Sequence, residues 1–187
     1  MPIRPIVITG EPVLHSRAAE VTIFDENLNQ LVLDMFDTME AAPGVGLAAP
    51  QVGVALRVFV YDYEDDDEHH RGVVINPKLE ISKIPTGEAD WDTEAEGCLS
   101  VPGERFPIRR AEHAVLTGLD LNQQPVRIEA SGWFARIFQH EFDHLEGTLY
   151  VDRLAQPHHT DAAQVVSERG WGKPGFSWLP GKDKLEG

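Results

Sequence analysis

The chain has 187 residues, 42% of them hydrophobic, and this length and composition predict one main domain around one buried core. Its 31 acidic residues against 16 lysines and arginines give a formal net charge of −15, which repels a phosphate backbone and argues against direct nucleic-acid binding. Because no apolar run approaches the roughly 18 residues of a membrane span, and because one cysteine excludes an internal disulfide, we expect a cytoplasmic protein without membrane association.

The first half of the chain predicts one helix followed by strands. Apolar residues recur at helical spacing between Asp25, a good helix cap, and Pro43-Gly44, which ends the pattern. The segments "ALRVFVYDY" and "RGVVINPKLEIS" then have the composition of strands, separated by the acidic stretch Glu64 to Glu68. The segments "HAVLTGLDL" and "QPVRIEA" predict a hairpin around Asn122-Gln123.

The second half predicts a buried helix. From Ser131 to Gly147 apolar residues lie on more than one side of a helical pattern, which indicates a helix inside the core. A polar helix near residues 159–169 and a Gly/Pro-rich tail without regular structure should follow. We therefore predict an α+β fold in which antiparallel sheets surround a central helix. The catalytic domain would span residues 1–170, and the irregular tail residues 171–187.

The central helix contains the sequence "QHEFDHLEG", residues 139–147. On a helix His140 and His144 share one face, where both imidazoles can bind one metal ion. Glu141 is one position round the helix and is placed to accept a proton from a water held by that metal. A chance HExxH motif is the alternative, but unpartnered imidazoles are costly within an apolar helix. The motif thus predicts a metal site that needs a third ligand.

The residues alone leave the third ligand open. A longer metalloprotease signature requires histidine where this chain has Tyr150, so that arrangement is excluded. Glu168, on the following predicted helix, would give the histidine–histidine–glutamate set of a zinc endopeptidase. Cys98, in what we interpret as a polar loop within "TEAEGCLSVPG", could bind a divalent metal as a thiolate, although lone cysteines are often core filler.

A third pattern is "GVGLAAPQVG", residues 44–53. Its glycines and alanines permit another backbone to approach closely, and the amide of Gln51 can donate a hydrogen bond to a developing oxyanion. A glycine-rich turn after a helix is more often only a turn, and the segment lacks the lysine of a phosphate-binding loop. By itself this pattern is weak evidence for function.

Together, "GVGLAAPQ", "EGCLS" and "QHEFDHLEG", in this order and without gaps, resemble the three signature motifs of the peptide deformylases. The resemblance extends over nearly the whole chain, from "EPVLH" to Gly147. It implies an α+β fold around a helix that carries the two histidines. It also implies a metal-dependent hydrolase that removes the formyl group from the N-terminal formylmethionine of new polypeptides, as a step of protein biosynthesis.

The resemblance assigns a role to each motif residue. Cys98, His140 and His144 would hold the metal, and Glu141 would be the general base. The side chain of Gln51 and the backbone N–H of Leu99 would stabilise the oxyanion. The resemblance also implies that the native metal is Fe²⁺ and that Ni²⁺, Co²⁺ or Zn²⁺ can replace it.

The substrate-binding residues are also implied by position in the motifs. The extended substrate would pair with the backbone near Val45 and Gly46. Its methionine pocket would include His140, Trp133, Arg136 and Ile137, with Arg105 at the mouth. Arg136 stands where the family often has an apolar residue, so its stem either packs on the methionine or points away. Glu96 and Asp143, also within the motifs, are expected to support the ligands or to form ordinary salt bridges.

N-formylmethionyl nascent polypeptides are the expected partners. Some relatives dock on the ribosome through a basic C-terminal helix, but residues 159–187 hold four Lys/Arg against four Asp/Glu, which leaves transient ribosome association undecided. Two other functions stay open: a zinc endopeptidase with Glu168 as third ligand, and a non-catalytic, metal-stabilised interaction domain. The endopeptidase would differ from a deformylase in its third metal ligand. The interaction domain would differ in having a closed metal site with four protein ligands.

Overall fold

The structure, a computed structural model, describes residues 2–65 and 68–185. Its helices are α1 (Glu26–Ala41), α2 (Trp91–Glu94), α3 (Gly132–Leu145) and α4 (His158–Glu168). Its strands are β1 (Ile6–Val7), β2 (Gly46–Ala48), β3 (Val58–Glu64), β4 (His69–Ile81), β5 (Ala95–Cys98), β6 (Val101–Pro107), β7 (His113–Leu119), β8 (Pro125–Ser131) and β9 (Ser177–Trp178). The predicted α+β class with antiparallel sheets is confirmed. Within the described ranges, no helix is long and apolar enough to cross a membrane.

The main sheet has five strands in the order β2-β3-β4-β7-β8, and every neighbouring pair is antiparallel. Its central strands and the β7–β8 hairpin are those predicted from the sequence. Part of the acidic stretch between β3 and β4, residues 66 and 67, lies outside the described residues. Strand β2 was not predicted as a strand, because three residues of Gly-Leu-Ala carry no readable alternation. It occupies an edge of the sheet, so one side of its backbone has no neighbouring strand in this sheet.

Helix α1 begins and ends close to the predicted residues. Asp25 caps it by accepting a hydrogen bond from the backbone N–H of Leu28. The apolar residues that predicted the helix are all buried, namely Leu28, Leu31, Met35 and Met39. They pack against β2 and β3 in one core cluster.

Helix α3 packs one face against the main sheet. Phe134 and Phe138 contact each other and the aromatic rings of Phe59 and Tyr61 on β3. Leu116 of β7 belongs to the same buried cluster. This packing fixes the rotation of α3, so the residues of the HEFDH sequence that face away from the cluster are held in defined positions.

Strands β5 and β6 form a separate two-stranded sheet. Cys98 is the last residue of β5 and is only 7% exposed, so the prediction of a polar loop around it was wrong. The pairing shifts register between Gly97 and Cys98, and this irregularity turns the strand into a tight connection at Leu99 and Ser100. The residues next to Cys98 in the sequence are mostly polar, so the sequence pattern did not indicate that this end of β5 is buried.

The C-terminal tail differs from the irregular segment that was predicted. Most of it has no regular secondary structure, but β9 pairs with β1 near the N-terminus, with Trp178 opposite Ile6. Trp178 is only 3% exposed. A two-residue strand paired with a partner some 170 positions away leaves no local pattern to read. Residues 186 and 187 of the predicted tail, and Met1, lie outside the described residues.

Candidate active site

Cys98, His140 and His144 come together at the end of β5 and the last turns of α3. Their candidate ligand atoms all lie within 4.8 Å of one another. The Nε2 atoms of the two histidines are 3.2 Å apart, and the Sγ of Cys98 is 3.4 Å from Nε2 of His144. Tetrahedral sites with bonds of about 2.0–2.3 Å place their ligand atoms roughly 3.3–3.7 Å apart. The three side chains are therefore spaced as ligands of one ion.

The protonation of His144 also suits a metal ligand. Burial and the neighbouring His140 hold the pKa of His144 well below its ordinary value, so this imidazole is neutral at physiological pH. Neutral imidazole is the form that binds metal. Two soft-to-intermediate nitrogen donors and a thiolate form a donor set typical of Fe²⁺, Co²⁺, Ni²⁺ or Zn²⁺.

Glu96 fixes the orientation of His140. Its Oε2 lies 3.0 Å from Nδ1 of His140, which directs the Nε2 of that ring toward Cys98 and His144. Although burial alone would raise it, Arg110 and His140 hold the pKa of Glu96 well below its usual range. The carboxylate is thus ionised, as an acceptor for His140 must be.

Arg110 is a buried residue that the sequence analysis missed. Its Nε and Nη2 donate to the two oxygens of Glu96 at 3.0 Å each, and its Nη1 donates to Asp143 at 2.6 Å. Asp143 also pairs with Arg153 at 2.7 Å. Arg110 lies in the connection between β6 and β7, where neither periodicity nor a motif distinguishes it from the preceding Arg109. Both Glu96 and Asp143 therefore form salt bridges, and Glu96 supports a candidate ligand as well.

Glu141 lies beside the three candidate ligands and is 4% exposed. Burial raises its pKa to about 7. Among the described residues its Oε2 has no hydrogen-bond partner. A buried, unpartnered carboxylate oxygen is costly in a folded protein unless a ligand or water uses it. A Cβ placed on Gly46 would overlap this carboxylate, so the glycine leaves room for Glu141 next to β2.

Gln51 approaches the site from the short 3₁₀ helix Ala49–Val52 that follows β2. Its Oε1 accepts a hydrogen bond from the backbone N–H of Ala48 at 2.9 Å, which assigns the other end of the amide as the NH₂ group. The Nε2 then lies 3.7 Å from Sγ of Cys98 and 3.4 Å from Oγ of Ser100. Gln51 thus presents an N–H donor to the edge of the candidate metal site.

A cavity of about 400 Å³ opens beside these groups. The predicted substrate-binding residues that line it are Val45, Gly46, Arg105, Trp133, Arg136, Ile137 and His140. Gln51, Cys98, Leu99 and Glu141 also line it. Tyr63 and Gly103 were not predicted and belong to the same wall. Val45 and Trp133 are half-exposed at the rim, as expected for residues that a large ligand would cover.

Arg136 lines this cavity with its charge already neutralised by the protein. Its Nη1 donates to Glu96 and to the carbonyl of Ile108, both at 2.8 Å. Its guanidinium lies over the ring of Trp133, 5.1 Å from the centroid. Of the two orientations considered from the sequence, the guanidinium is thus directed into the protein, toward Glu96.

Two other features lie away from this site. A larger cavity of about 720 Å³ contacts a different face of α3, at Gln139, Phe142 and Asp143, and none of the three candidate ligands lines it.

Glu168 is exposed on α4 and accepts a hydrogen bond from Gln164. Within residues 2–65 and 68–185, the group that could hold a metal contains Cys98 and not Glu168, so the ligand set of the zinc endopeptidase alternative is wrong.

Comparison with known proteins decides the family. The model of the polypeptide deformylase family matches residues 3–160 of the chain. The chain belongs to the polypeptide deformylase family. A peptide deformylase of Mycolicibacterium paratuberculosis is 53% identical over 190 residues, which cover 97% of this chain and 96% of that relative.

Solved deformylase structures have the same fold. The crystal structure of a peptide deformylase from Legionella pneumophila superposes with a TM-score of 0.77 at 38% identity, covering 90% of this chain and 96% of that one. A peptide deformylase from Ehrlichia chaffeensis in complex with actinonin gives a TM-score of 0.78 at 36% identity, covering 90% and 98%. The predicted family and enzyme class are confirmed: the chain is a deformylase, of a family that removes N-formyl groups in a metal-dependent reaction.

Proposed function

We propose that the 400 Å³ cavity is the place where this chain hydrolyses the formyl group from N-formylmethionyl polypeptides, with release of formate. The observation that carries the proposal is the convergence of Cys98, His140 and His144 beside the buried carboxylate of Glu141. A nucleophile site and a proton acceptor are thereby adjacent, as amide hydrolysis requires. Helix α3 would be the central element of the fold that presents this motif to the cavity.

Cys98, His140 and His144 would hold one divalent metal, natively Fe²⁺. The metal would supply Lewis-acid polarisation of the formyl carbonyl and an acidified water. Glu96 would keep His140 in the tautomer whose Nε2 is free for the metal, since Nδ1 is committed to the carboxylate at 3.0 Å. Ni²⁺, Co²⁺ and Zn²⁺ fit the same donors, so affinity alone does not select iron.

Glu141 would move the proton. Its Oε2 is buried and unpartnered within the part of the chain that the structure describes, so it is available to accept a proton from the attacking water. The same carboxyl group would then deliver that proton to the leaving amine of the methionine. Both transfers would occur at the wall of the cavity, where Glu141 is only 4% exposed.

Gln51 and Leu99 would stabilise the oxyanion. The NH₂ group of Gln51 is fixed by the bond of its Oε1 to Ala48, and it lies beside Cys98. Leu99 follows Cys98 directly and lines the cavity, which supports a role for its backbone N–H as a donor to the reacting carbonyl. Preorganised donors of this kind typically contribute about 10²–10³ in rate each.

The polypeptide substrate would bind as an added strand along β2. This strand is at the edge of the main sheet, and its first residue, Gly46, lines the cavity together with the preceding Val45. Main-chain hydrogen bonds to an open strand edge tolerate varied side chains, as an enzyme acting on many nascent chains requires. The methionine side chain would contact Ile137, Trp133 and the stem of Arg136, with Arg105 at the exposed mouth.

The cellular setting follows from the same substrate. A cytoplasmic location agrees with the free, buried thiol of Cys98, which a reducing compartment preserves. Transient ribosome association is an expectation from the family; α4 contains no lysine or arginine and so offers no basic docking face. The division into a catalytic domain at 1–170 and a tail at 171–187 likewise stays a prediction.

The experiment is to prepare the protein anaerobically with Fe²⁺ and incubate it with a formyl-Met peptide. Formate is measured enzymatically, and the peptide products are examined by mass spectrometry. We expect stoichiometric formate and an otherwise intact peptide with a free N-terminal methionine. Internal cleavage of the peptide without formate would indicate an endopeptidase, and a metal-bound protein with neither product would indicate a non-catalytic domain.

A further inference from the structure

The C-terminal tail contacts the backbone next to the candidate metal site. The indole Nε1 of Trp178 donates a hydrogen bond to the carbonyl of Leu99 at 2.8 Å. Trp178 is only 3% exposed and packs in the same core cluster as Ile6 and Ile8. Leu99 is directly adjacent to Cys98, so the tail is separated from a candidate ligand by a single residue.

The bond from Trp178 holds one end of a peptide unit whose other end faces the thiol. The backbone N–H of Ser100 belongs to the same planar unit as the carbonyl of Leu99, and it donates to Sγ of Cys98 at 3.4 Å. In a trans peptide the carbonyl and the N–H point in opposite directions. Fixing the carbonyl of Leu99 therefore also fixes the direction of the N–H that contacts the sulfur.

A second chain of hydrogen bonds holds the tail to the same segment. The carbonyl of Ser100 accepts from the backbone N–H of Thr9 at 2.8 Å, and the carbonyl of Thr9 accepts from Gly172 at 3.0 Å. A Cβ on Gly10 would overlap the backbone of Gly172 and Lys173, so the tail packs directly on the N-terminal segment there. The tail thus supports the turn after Cys98 both through Trp178 and through Thr9.

We propose that Trp178 is a positioning residue for the active site. Its indole N–H orients the Leu99–Ser100 peptide unit, so that the N–H of Ser100 remains on the sulfur of Cys98 and Leu99 keeps its place in the cavity wall. A hydrogen bond to a ligating thiolate reduces the charge that the sulfur donates to a metal. The part of this inference that concerns turnover rests on the proposed function, whereas the part that concerns the sulfur does not.

The test compares Trp178→Phe with Trp171→Phe. Both changes replace an indole ring of the tail with a smaller phenyl ring, which has no N–H. Trp171 is half-buried beside the guanidinium of Arg169, 5.7 Å from its ring centroid, and serves as the matched control. Three quantities are measured: amide hydrogen exchange at Ser100, the thiolate-to-metal absorption band of Co²⁺-loaded protein, and kcat and KM for a formyl-Met peptide.

For Trp178→Phe we expect exchange at Ser100 to be about tenfold faster, since one anchor of its peptide unit is lost. The absorption band of the Co²⁺-loaded protein should shift, because the N–H of Ser100 is held less firmly on the sulfur of Cys98. The value of kcat should fall by about tenfold with KM within about twofold, because the neighbouring N–H of Leu99, the proposed oxyanion donor, is also held less firmly. In Trp171→Phe all of these quantities should stay within about twofold of the original protein.

Equal effects of the two variants on all three readouts would overturn the proposal, as would an unchanged band and unchanged Ser100 exchange in Trp178→Phe. If Trp178→Phe does not fold, isotope-labelled original protein provides the test: we expect scalar coupling across the hydrogen bond from the Trp178 indole to the Leu99 carbonyl, and its absence contradicts the proposal. Absence of formate release by the original protein would overturn the proposed function alone, since Ser100 exchange and the Co²⁺ band still test the positioning role.

Discussion

Glu141 keeps a carboxylate oxygen buried without a hydrogen-bond partner within the described chain, beside three side chains spaced as metal ligands. Such an arrangement is unfavourable for stability and useful for proton transfer, because no described residue competes for the lone pairs of this oxygen. Gly46 is needed at the same place, since a Cβ there would overlap the carboxylate. The site therefore depends both on the carboxylate of Glu141 and on the lack of a side chain at Gly46.

We predict that Glu141→Ala retains the metal and loses most turnover, by about 10²–10⁴-fold, because it removes the general base and no ligand. Metal content by elemental analysis and formate release are measured on the same sample. Glu141→Gln is the matched variant, since it keeps the size and removes the basicity. Loss of metal from either variant would show that Glu141 has a ligand role instead.

We predict that Gly46→Ala lowers both thermal stability and turnover, because the new methyl group must displace the carboxylate of Glu141. The melting temperature of metal-free protein gives the stability effect. In a Glu141→Ala background the same substitution should cost much less, because the overlapping group is gone. Equal losses of melting temperature in both backgrounds would refute this explanation.

Several elements meet around Arg110. This residue lies in the β6–β7 connection and joins Glu96 on β5 to Asp143 on α3, and Glu96 in turn contacts His140. Its side chain and both carboxylates are almost completely buried. The charge pairs thus hold the strand that carries Cys98 against the helix that carries the two histidines.

We predict that Arg110→Ala lowers the free energy of unfolding of metal-free protein by about 1–3 kcal/mol, because two buried carboxylates lose their shared cation while each keeps one other arginine, Arg136 or Arg153. Chemical denaturation is the measurement. Arg127→Ala is the control, since its pair with Glu129 is exposed on both sides and should change stability by less than about 0.5 kcal/mol. A loss no larger than that of the control would contradict the structural role of Arg110.

The elements differ in how far the sequence predicts them. Helix α1, the β7–β8 hairpin and the helix carrying HEFDH have periodic apolar patterns and recognisable ends, so local rules suffice. Strand β2 was missed because three residues carry no alternation, and the buried end of β5 was missed because the residues around Cys98 are polar. The short β9, Arg110 and Trp178 were missed because their partners Ile6, Asp143 and Leu99 are far away in the sequence.

In the whole molecule, the first and last strands, β1 and β9, come together near the two segments that supply Cys98 and the two histidines. Strands β1 and β9 pair behind the turn that follows Cys98, while α3 brings the histidines from the other side. The thiol of Cys98 and the imidazole of His140 thus lie in the wall of a cavity of about 400 Å³, and His144 contacts both. A molecule as small as oxygen can enter a cavity of this size.

We predict that the Fe²⁺ protein is the most active form and that its activity decays in air, whereas Ni²⁺ or Co²⁺ protein stays active. A redox-active ion beside a thiolate gives oxygen a route to both the metal and Cys98, and the other ions react less readily. Metal-free protein is loaded anaerobically with each ion, and formate release is measured before and after exposure to air. Air-stable, fully active Zn²⁺ protein alongside feeble Fe²⁺ protein would overturn this prediction.

The identity of the third metal ligand is tested most directly by measuring metal content and formate release together in Cys98→Ala and Glu168→Ala. We expect Cys98→Ala to lose both metal and activity, because one of three candidate ligand atoms is removed. Glu168→Ala should keep both at the level of the original protein, since Glu168 is exposed on α4 away from the site. Retention of metal and activity by Cys98→Ala, with their loss from Glu168→Ala, would show that Cys98 is not the third ligand.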